Sequence, residues 1–204
     1  IATGGLPHTE VLKTGNEFLT STWDILSGDV KPGTDVLIYD DAGDHAGMQA
    51  AEIIAASGAK LEIMTRDRAF APEVMAMNLV PYMRSLQKRD VRFTVTYLLE
   101  AVRKDGNMLV ATIGSDYGGI AREQRHDQII VNHGTRPNDS LYLELTPHSV
   151  NEGAVNHSNL IDGKPQLVFT NPAGKFQLFR IDDAVAARNT HAAIYDALRL
   201  VKDI

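Results

Sequence analysis

The 204-residue sequence contains no cysteine. A disulfide scaffold, a thiolate zinc site, an iron–sulfur cluster ligated from this chain and Cys-x-x-Cys redox chemistry are all excluded. Long apolar runs are also missing. None approaches the roughly 20 residues needed to cross a bilayer, so no membrane span is expected. Positive charge is in deficit, with 20 Lys and Arg against 26 Asp and Glu and a formal net charge of −6. A negative surface repels phosphodiester backbones, which argues against nucleic acid as a partner. There is no internal repeat and no low-complexity tract. The sequence opens Ile1-Ala2-Thr3-Gly4-Gly5, with no initiator Met, basic region or signal-peptide core. An apolar residue running into a glycine turn reads as the end of a strand cut from its partner. The expectation is part of a longer, cytoplasmic polypeptide.

What is present reads as α/β. Asp35 to Asp40 is a short apolar run after Pro32-Gly33, the signature of a buried strand. A turn, Asp40 to Gly47, leads into a small-residue helix over 48–57, with Gly58 suited to its carboxyl end. Residues 60–65 alternate like a second strand, completing a βαβ unit. A helix is predicted over 72–88, with Met75, Leu79, Met83 and Leu86 packing into the core and Pro81 interrupting it. Strands over 91–95, 108–112 and 128–131, with turns at 105–107 and 117–119, are expected to form a β-meander. A loop-rich stretch over 132–165 precedes two more strands, 166–170 and 176–181. The last helix carries Ile194, Ala197, Leu198 and Val201 as a core-facing stripe.

The turn after the first strand is where a dinucleotide fold places Gly-x-Gly-x-x-Gly. With Gly47 as the third glycine, Asp44 falls at the second position and Ala42 at the first, leaving Gly43 out of register. Asp40, Asp41 and Asp44 add negative charge where a pyrophosphate would lie, which makes this a damaged phosphate cradle. Thr65 stands where a ribose-binding acid is usual, followed by Arg66, Asp67 and Arg68. Arg66 suits an adenine or 2′-phosphate, or else a solvated surface. The expectation is an ADP-like ligand bound loosely or not at all.

Other chemistries find little support. A phosphorylation receiver needs an acid after its third strand, and Thr96-Tyr97-Leu98-Leu99 supplies none. Gly114-Ser115-Asp116-Tyr117-Gly118 lacks nucleophile-elbow spacing. The seven histidines show no metal-ligand spacing. His45, near Asp41 and Asp44, reads as a weak cation site or a solvated loop histidine. Glu123, His126 and Asp127 read as a charged, exposed strand edge. No metal site and no catalytic constellation is identified.

Three separated segments carry a resemblance. Ile1-Ala2-Thr3-Gly4 resembles the strand end at which two-dinucleotide-domain flavoproteins pass from FAD domain to NAD domain. The stretch Val131-Asn132-His133-Gly134-Thr135-Arg136-Pro137-Asn138 looks like their Gly-x-Arg-Pro-Asn return crossing. Phe179-Arg180-Ile181-Asp182-Asp183-Ala184, followed by Arg188-Asn189, resembles the segment whose Asp binds the FAD ribityl or ribose region. Asp182 departs from the pattern, which has Gly there. The strand and turn through Asp40-Asp41-x-Gly43, with Pro81-Tyr82-Met83-x-x-Leu86, are similar to the trimethylamine dehydrogenase and 2,4-dienoyl-CoA reductase (NADH:flavin oxidoreductase) family. The likeness is to its dimethylglycine and N-methylproline demethylases.

This resemblance implies a Rossmann-like three-layer dinucleotide-binding domain with a β-meander over 16–130. It implies the C-terminal half of a second, FAD-type domain over 131–204, with 1–15 as strand end and linker. It implies FAD or ADP in this region, with an FMN barrel and a 4Fe–4S cluster on a preceding part of the polypeptide, where a small N-methylated substrate would be oxidised. A homo-oligomer is expected. Thr3, Gly4, Gly43, Gly47, Arg66, Gly134, Arg136 and Asp183 are the candidate cofactor contacts. The alternatives are a nucleotide-free structural or oligomerisation domain of the same enzyme and an NAD(P)H-dependent flavin reductase module.

Overall fold

A computed structural model describes residues 1–119 and 121–201. In chain order the elements are β1 (Gly5–Pro7), β2 (Thr20–Ser21), α1 (Thr22–Ser27), β3 (Asp35–Asp40), α2 (His45–Ala56), β4 (Lys60–Met64), α3 (Ala76–Gln87), β5 (Arg92–Thr94), β6 (Leu98–Asp105), β7 (Met108–Gly114), β8 (Arg122–His126), β9 (Gln128–Asn132), β10 (Thr135–Pro137), α4 (Ser140–Leu145), α5 (His157–Asp162) and α6 (Thr190–Val201). They divide into two units. One is Pro7–Gly134; the other joins Ile1–Leu6 to the chain from Thr135 onward.

In the Pro7–Gly134 unit a parallel sheet of order β2-β9-β3-β4-β5 lies between two layers. Side chains that alternate along β3 explain this. Val36 and Ile38 join Met48, Ile54, Ile63 and Leu86 in a core beneath the helices. Leu37 and Tyr39 turn the other way, onto Leu99, Val102, Ala111 and Ile113 of the antiparallel meander β6-β7-β8. A strand buried on both faces reads as an unbroken apolar run, and Val36, Leu37 and Ile38 are all fully buried. The βαβ unit is present: β3 pairs with β4 in parallel, Val36 opposite Leu61 and Ile38 opposite Ile63, with α2 between them in sequence.

Several expectations need correction. Residues 92–94 and 128–132 are not meander strands; they extend the parallel sheet beside β4 and β3. The meander is built from β6, β7 and β8. β6 (Leu-Leu-Glu-Ala-Val-Arg-Lys-Asp) and β8 (Arg-Glu-Gln-Arg-His) escaped a hydropathy reading because one face of each meets water and carries charge. α3 starts at Ala76 and runs through Pro81 to Gln87 without interruption; of its methionine stripe, Leu86 is buried whereas Met75 is 76% exposed.

In the second unit, β1 and β10 form a two-stranded sheet, and the stretch expected to be loop-rich carries β10, α4 and α5. The expected strands over 166–170 and 176–181 do not form; an isolated bridge joins Ser149 to Phe176. Leu167 and Phe169 are exposed, so their alternation has no packed face to serve. The stripe of α6 is likewise outward: Ile194, Leu198 and Val201 are exposed, and Leu200 is the side chain it buries. Among the described residues no helix is long and apolar enough to cross a membrane.

Candidate functional site

In an open α/β sheet, ligands bind beyond the carboxyl ends of the strands, where the strand order reverses. Here that point lies between β3 and β9, whose last residues, Asp40 and Asn132, are register partners. Asp40 is 1% exposed. Its Oδ1 accepts from the Gly43 N–H at 2.9 Å and from Asn132 Nδ2 at 2.8 Å, while its Oδ2 is buried with no partner. Burial pushes its pKa up to about 6. The hydrogen bonds from Gly43 and Asn132 work against that rise, and the neighbouring Asp44 adds to it.

Asn132 organises the turn. Its Oδ1 accepts from Thr22 Oγ1 at 3.2 Å, and its Nδ2 donates also to Asp44 Oδ1 at 2.9 Å. Its backbone carbonyl accepts from the N–H groups of Asp41 and Ala42 at 2.8 and 3.0 Å. Asp44 is the N-cap of α2, its Oδ1 accepting from Ala46 N at 2.9 Å and Gly47 N at 3.4 Å. The five N–H groups of Asp41, Ala42, Gly43, Ala46 and Gly47 are thus all spent on protein acceptors.

Gly47 retains the helix-packing role of a third fingerprint glycine. A Cβ there would lie 2.7 Å from Asp40 Oδ2 and 3.0 Å from Asn132 Nδ2. Gly43 does not offer open backbone: at φ 65° its outer face lies under Pro72, whose Cδ would be 2.4 Å from an added Cβ. Arg66 is exposed and donates from Nε to Asp116 at 2.7 Å, an arrangement that holds it on the β7–β8 connection. Arg68 similarly reaches the Tyr117 hydroxyl at 3.4 Å. Thr65, by contrast, is buried and accepts from the Asp67 N–H. The residues present in this crevice do not fit a pyrophosphate.

Two readings of histidines change. His45 does not join Asp41 and Asp44; its Nδ1 lies 3.2 Å from the Tyr82 hydroxyl. His133 is the histidine beside Asp41, Nδ1 to Oδ2 at 2.8 Å, with the His8 ring edge-on at 5.1 Å. Nor is His126 on an exposed edge. It is buried, with Nδ1 2.7 Å from Asp35 Oδ1 and Nε2 3.2 Å from Gln124 Oε1. Burial tends to raise the Asp35 pKa, but hydrogen bonds from Lys60 and His126 outweigh it and hold the carboxyl below its ordinary value. Asp127 accepts from the backbone N–H groups of Thr34 and Asp35 and from the Thr34 hydroxyl, tying down the start of β3. No group of acids and histidines among the described residues could hold a metal ion.

The second unit brings other sequence candidates together. Thr3 Oγ1 donates to the Asn138 carbonyl, the Asn138 N–H donates to the Gly4 carbonyl at 3.0 Å, and Asn138 Nδ2 donates to the Thr3 carbonyl at 3.5 Å. The two chain segments of the resemblance therefore lie side by side. Arg136 is exposed on β10, and the 3-10 turn Asp182–Ala184 packs beside that strand. Asp183 Oδ1 accepts from the Arg188 N–H at 3.4 Å. Gly4 has a positive φ with nothing within 4 Å of an added Cβ, leaving its backbone open on that side. Gly134, at the end of the first unit, has the same open backbone. Asp182, where the resemblance expects Gly, has φ 59°. The residues that sequence reasoning missed are Asn132, Pro72 and the Asp139–Arg180 pair at 2.5 Å. Asn132 had a signal: a polar residue closing a buried run beside an acid that closes another.

No protein-family model matches the chain. It is 71% identical, over all 204 residues, to a probable N-methylproline demethylase from Rhizobium meliloti (strain 1021), and 40% identical over 215 aligned residues to an N,N-dimethylglycine/sarcosine dehydrogenase from Chromohalobacter salexigens. All of the chain is covered in both comparisons, but only 30% and 31% of those relatives, so it spans about a third of their length. Among solved structures, histamine dehydrogenase from Rhizobium sp. 4-9 matches 95% of the chain with a TM-score of 0.70 at 18% identity, over 28% of its own length. That likeness shows the α/β fold. Aligned throughout with a demethylase and a dehydrogenase, the chain is homologous to a portion of each that makes up about a third of their length.

Proposed function

We propose that this chain is the C-terminal dinucleotide-binding-like portion of a flavin-dependent oxidoreductase that demethylates a small N-methylated amino acid or amine. The observation that carries the reading is the 71% identity, over the whole chain, to a protein named as an N-methylproline demethylase. The pairing of Thr3 and Gly4 with Asn138, beside Arg136 and Asp183, supports an FAD-type site that holds FAD or ADP. A bound flavin supplies a two-electron acceptor. In this reading the chain's own residues position an adenine nucleotide: open backbone at Gly4 admits phosphate, and Asp183 accepts a sugar hydroxyl.

The unit that starts with Ile1–Leu6 and resumes at Thr135 exposes Leu141, Leu143, Ile161, Leu167, Phe169 and Leu198. So much unburied apolar surface in so few residues supports completion by a further stretch of the same polypeptide. That preceding part would carry FMN, a 4Fe–4S cluster and the substrate. A second reading, a nucleotide-free assembly module, is favoured by the apolar groove of about 640 Å³ along α3, lined by Leu79, Val80 and Met83.

The test is to purify the complete gene product, measure flavin and iron, and follow formaldehyde release from N-methylproline and N,N-dimethylglycine with an artificial electron acceptor. Formaldehyde from either substrate supports the reading. A flavin-free protein that releases none from either refutes it.

A further inference from the structure

We propose that the amino terminus of α2 is a self-occupied anion site. The Asp44 carboxylate is its built-in ligand, and it closes the Pro7–Gly134 unit to the pyrophosphate of any nicotinamide or flavin dinucleotide. α2 spans twelve residues, long enough for its N–H groups and dipole to attract an anion. In a nucleotide-binding turn the second glycine is small so that the pyrophosphate can reach those N–H groups. Asp44 stands at that position and accepts from Ala46 and Gly47 itself, with Asn132 Nδ2 bonded to the same oxygen.

Three further features surround the Asp44 carboxylate. Pro72 covers Gly43. The N–H groups of Asp41 and Ala42 are taken by the Asn132 carbonyl. The buried Asp40 places an unpartnered Oδ2 against Gly47, a second carboxyl beside the first turn of α2. Arg66, the cation that would otherwise attract a nucleotide, is paired with Asp116. The fold keeps the dinucleotide architecture and supplies its own anion. The closure rests on the geometry of this unit and not on the demethylase reading. Where that reading also holds, substrate electrons leave by a route other than a nicotinamide nucleotide seated on α2.

The test is hydrogen exchange read by mass spectrometry on the intact protein, with and without 1 mM ADP or NADH, following the peptide that covers 40–48. In the native protein neither ligand should slow exchange there, and slowing confined to peptides covering 134–138 or 182–189 agrees with the closure. In Asp44→Gly, ADP should protect 40–48 and bind about ten- to hundred-fold tighter at that peptide, the range expected when charge-assisted N–H bonds are released to a ligand. Should Asp44→Gly prove unfolded by thermal melting, Asp44→Thr keeps a capping hydroxyl, removes the charge and should show a smaller gain in the same direction. Protection of 40–48 in the native protein overturns the proposal. So does a folded variant that gains nothing. No turnover enters the measurement, so its failure is separable from failure of the demethylase reading.

Discussion

Replacing Asp40 by Asn should change how the stability of the Pro7–Gly134 unit depends on pH. Asp40 has its pKa raised from 3.8 to about 6 by burial. A carboxyl that holds its proton more tightly folded than unfolded loses stability as pH rises. Its contribution is intact below about 4, declines between 4 and 6, and stays lost above. The gap corresponds to about 3 kcal/mol at roughly 1.36 kcal/mol per pH unit. Asparagine keeps an oxygen to accept from Gly43 and Asn132 but cannot ionise. Local costs, such as an amide NH2 placed where Oδ2 now lacks a partner, are independent of pH and cancel in a comparison across pH. The assay is urea unfolding at pH 4.5, 5.5, 6.5 and 7.5, followed by the fluorescence of the single tryptophan, Trp23 on α1, which lies in this unit. The stability of the variant minus that of the native protein should grow by about 2 kcal/mol between pH 4.5 and 7.5. A flat difference would refute the argument that Asp40 ionises at a cost. A difference that shrinks with pH would mean that the donors around it outweigh burial.

Gly47→Ala should destabilise the same unit by about 1–3 kcal/mol, although alanine ordinarily favours a helix, because its Cβ would meet Asp40 Oδ2 at 2.7 Å; urea unfolding checks the sign. Asp182→Gly should raise the stability of its unit by about 1 kcal/mol by removing a side chain held at φ 59°, seen as a higher melting temperature. Asp35→Asn should cost stability at pH 7 and progressively less as pH falls. The Asp35 carboxyl sits below its ordinary value through Lys60 and His126, and its contribution is lost only when it is protonated. Acid titration of the two proteins, followed by circular dichroism, should show their curves converging. Ile38→Ala, in a fully buried strand between two layers, should cost about 2–5 kcal/mol.

How much of this was legible in the sequence follows from burial. β3, α2 and β4 were readable because a strand covered on both faces must be apolar throughout, and Val36, Leu37 and Ile38 are. β8 was not, since one side of an edge strand faces water and its Arg-Glu-Gln-Arg-His obeys that side. The stripe on α6 was readable as a helix but misassigned as core. Periodicity reports that a face is apolar, and it cannot report whether the partner of that face lies within these 204 residues. At the turn, the spacing of Asp40, Asp41 and Asp44 showed the charge but not its use. What turns a damaged fingerprint into a closed one is Asn132, 88 residues beyond Asp44 in sequence and bonded to it through Nδ2. That bond depends on β9 returning beside β3 after the meander, a parallel pairing with no local signal. Ala42 and Asp44 in the turn and Asn132 at the end of β9 are therefore parts of one hydrogen-bonded network. With glycine at 44, Asn132 Nδ2 would lose its bond to Asp44 and the α2 amino terminus would stand uncapped. Aspartate there completes the network and, by the same bonds, takes the place of the ligand.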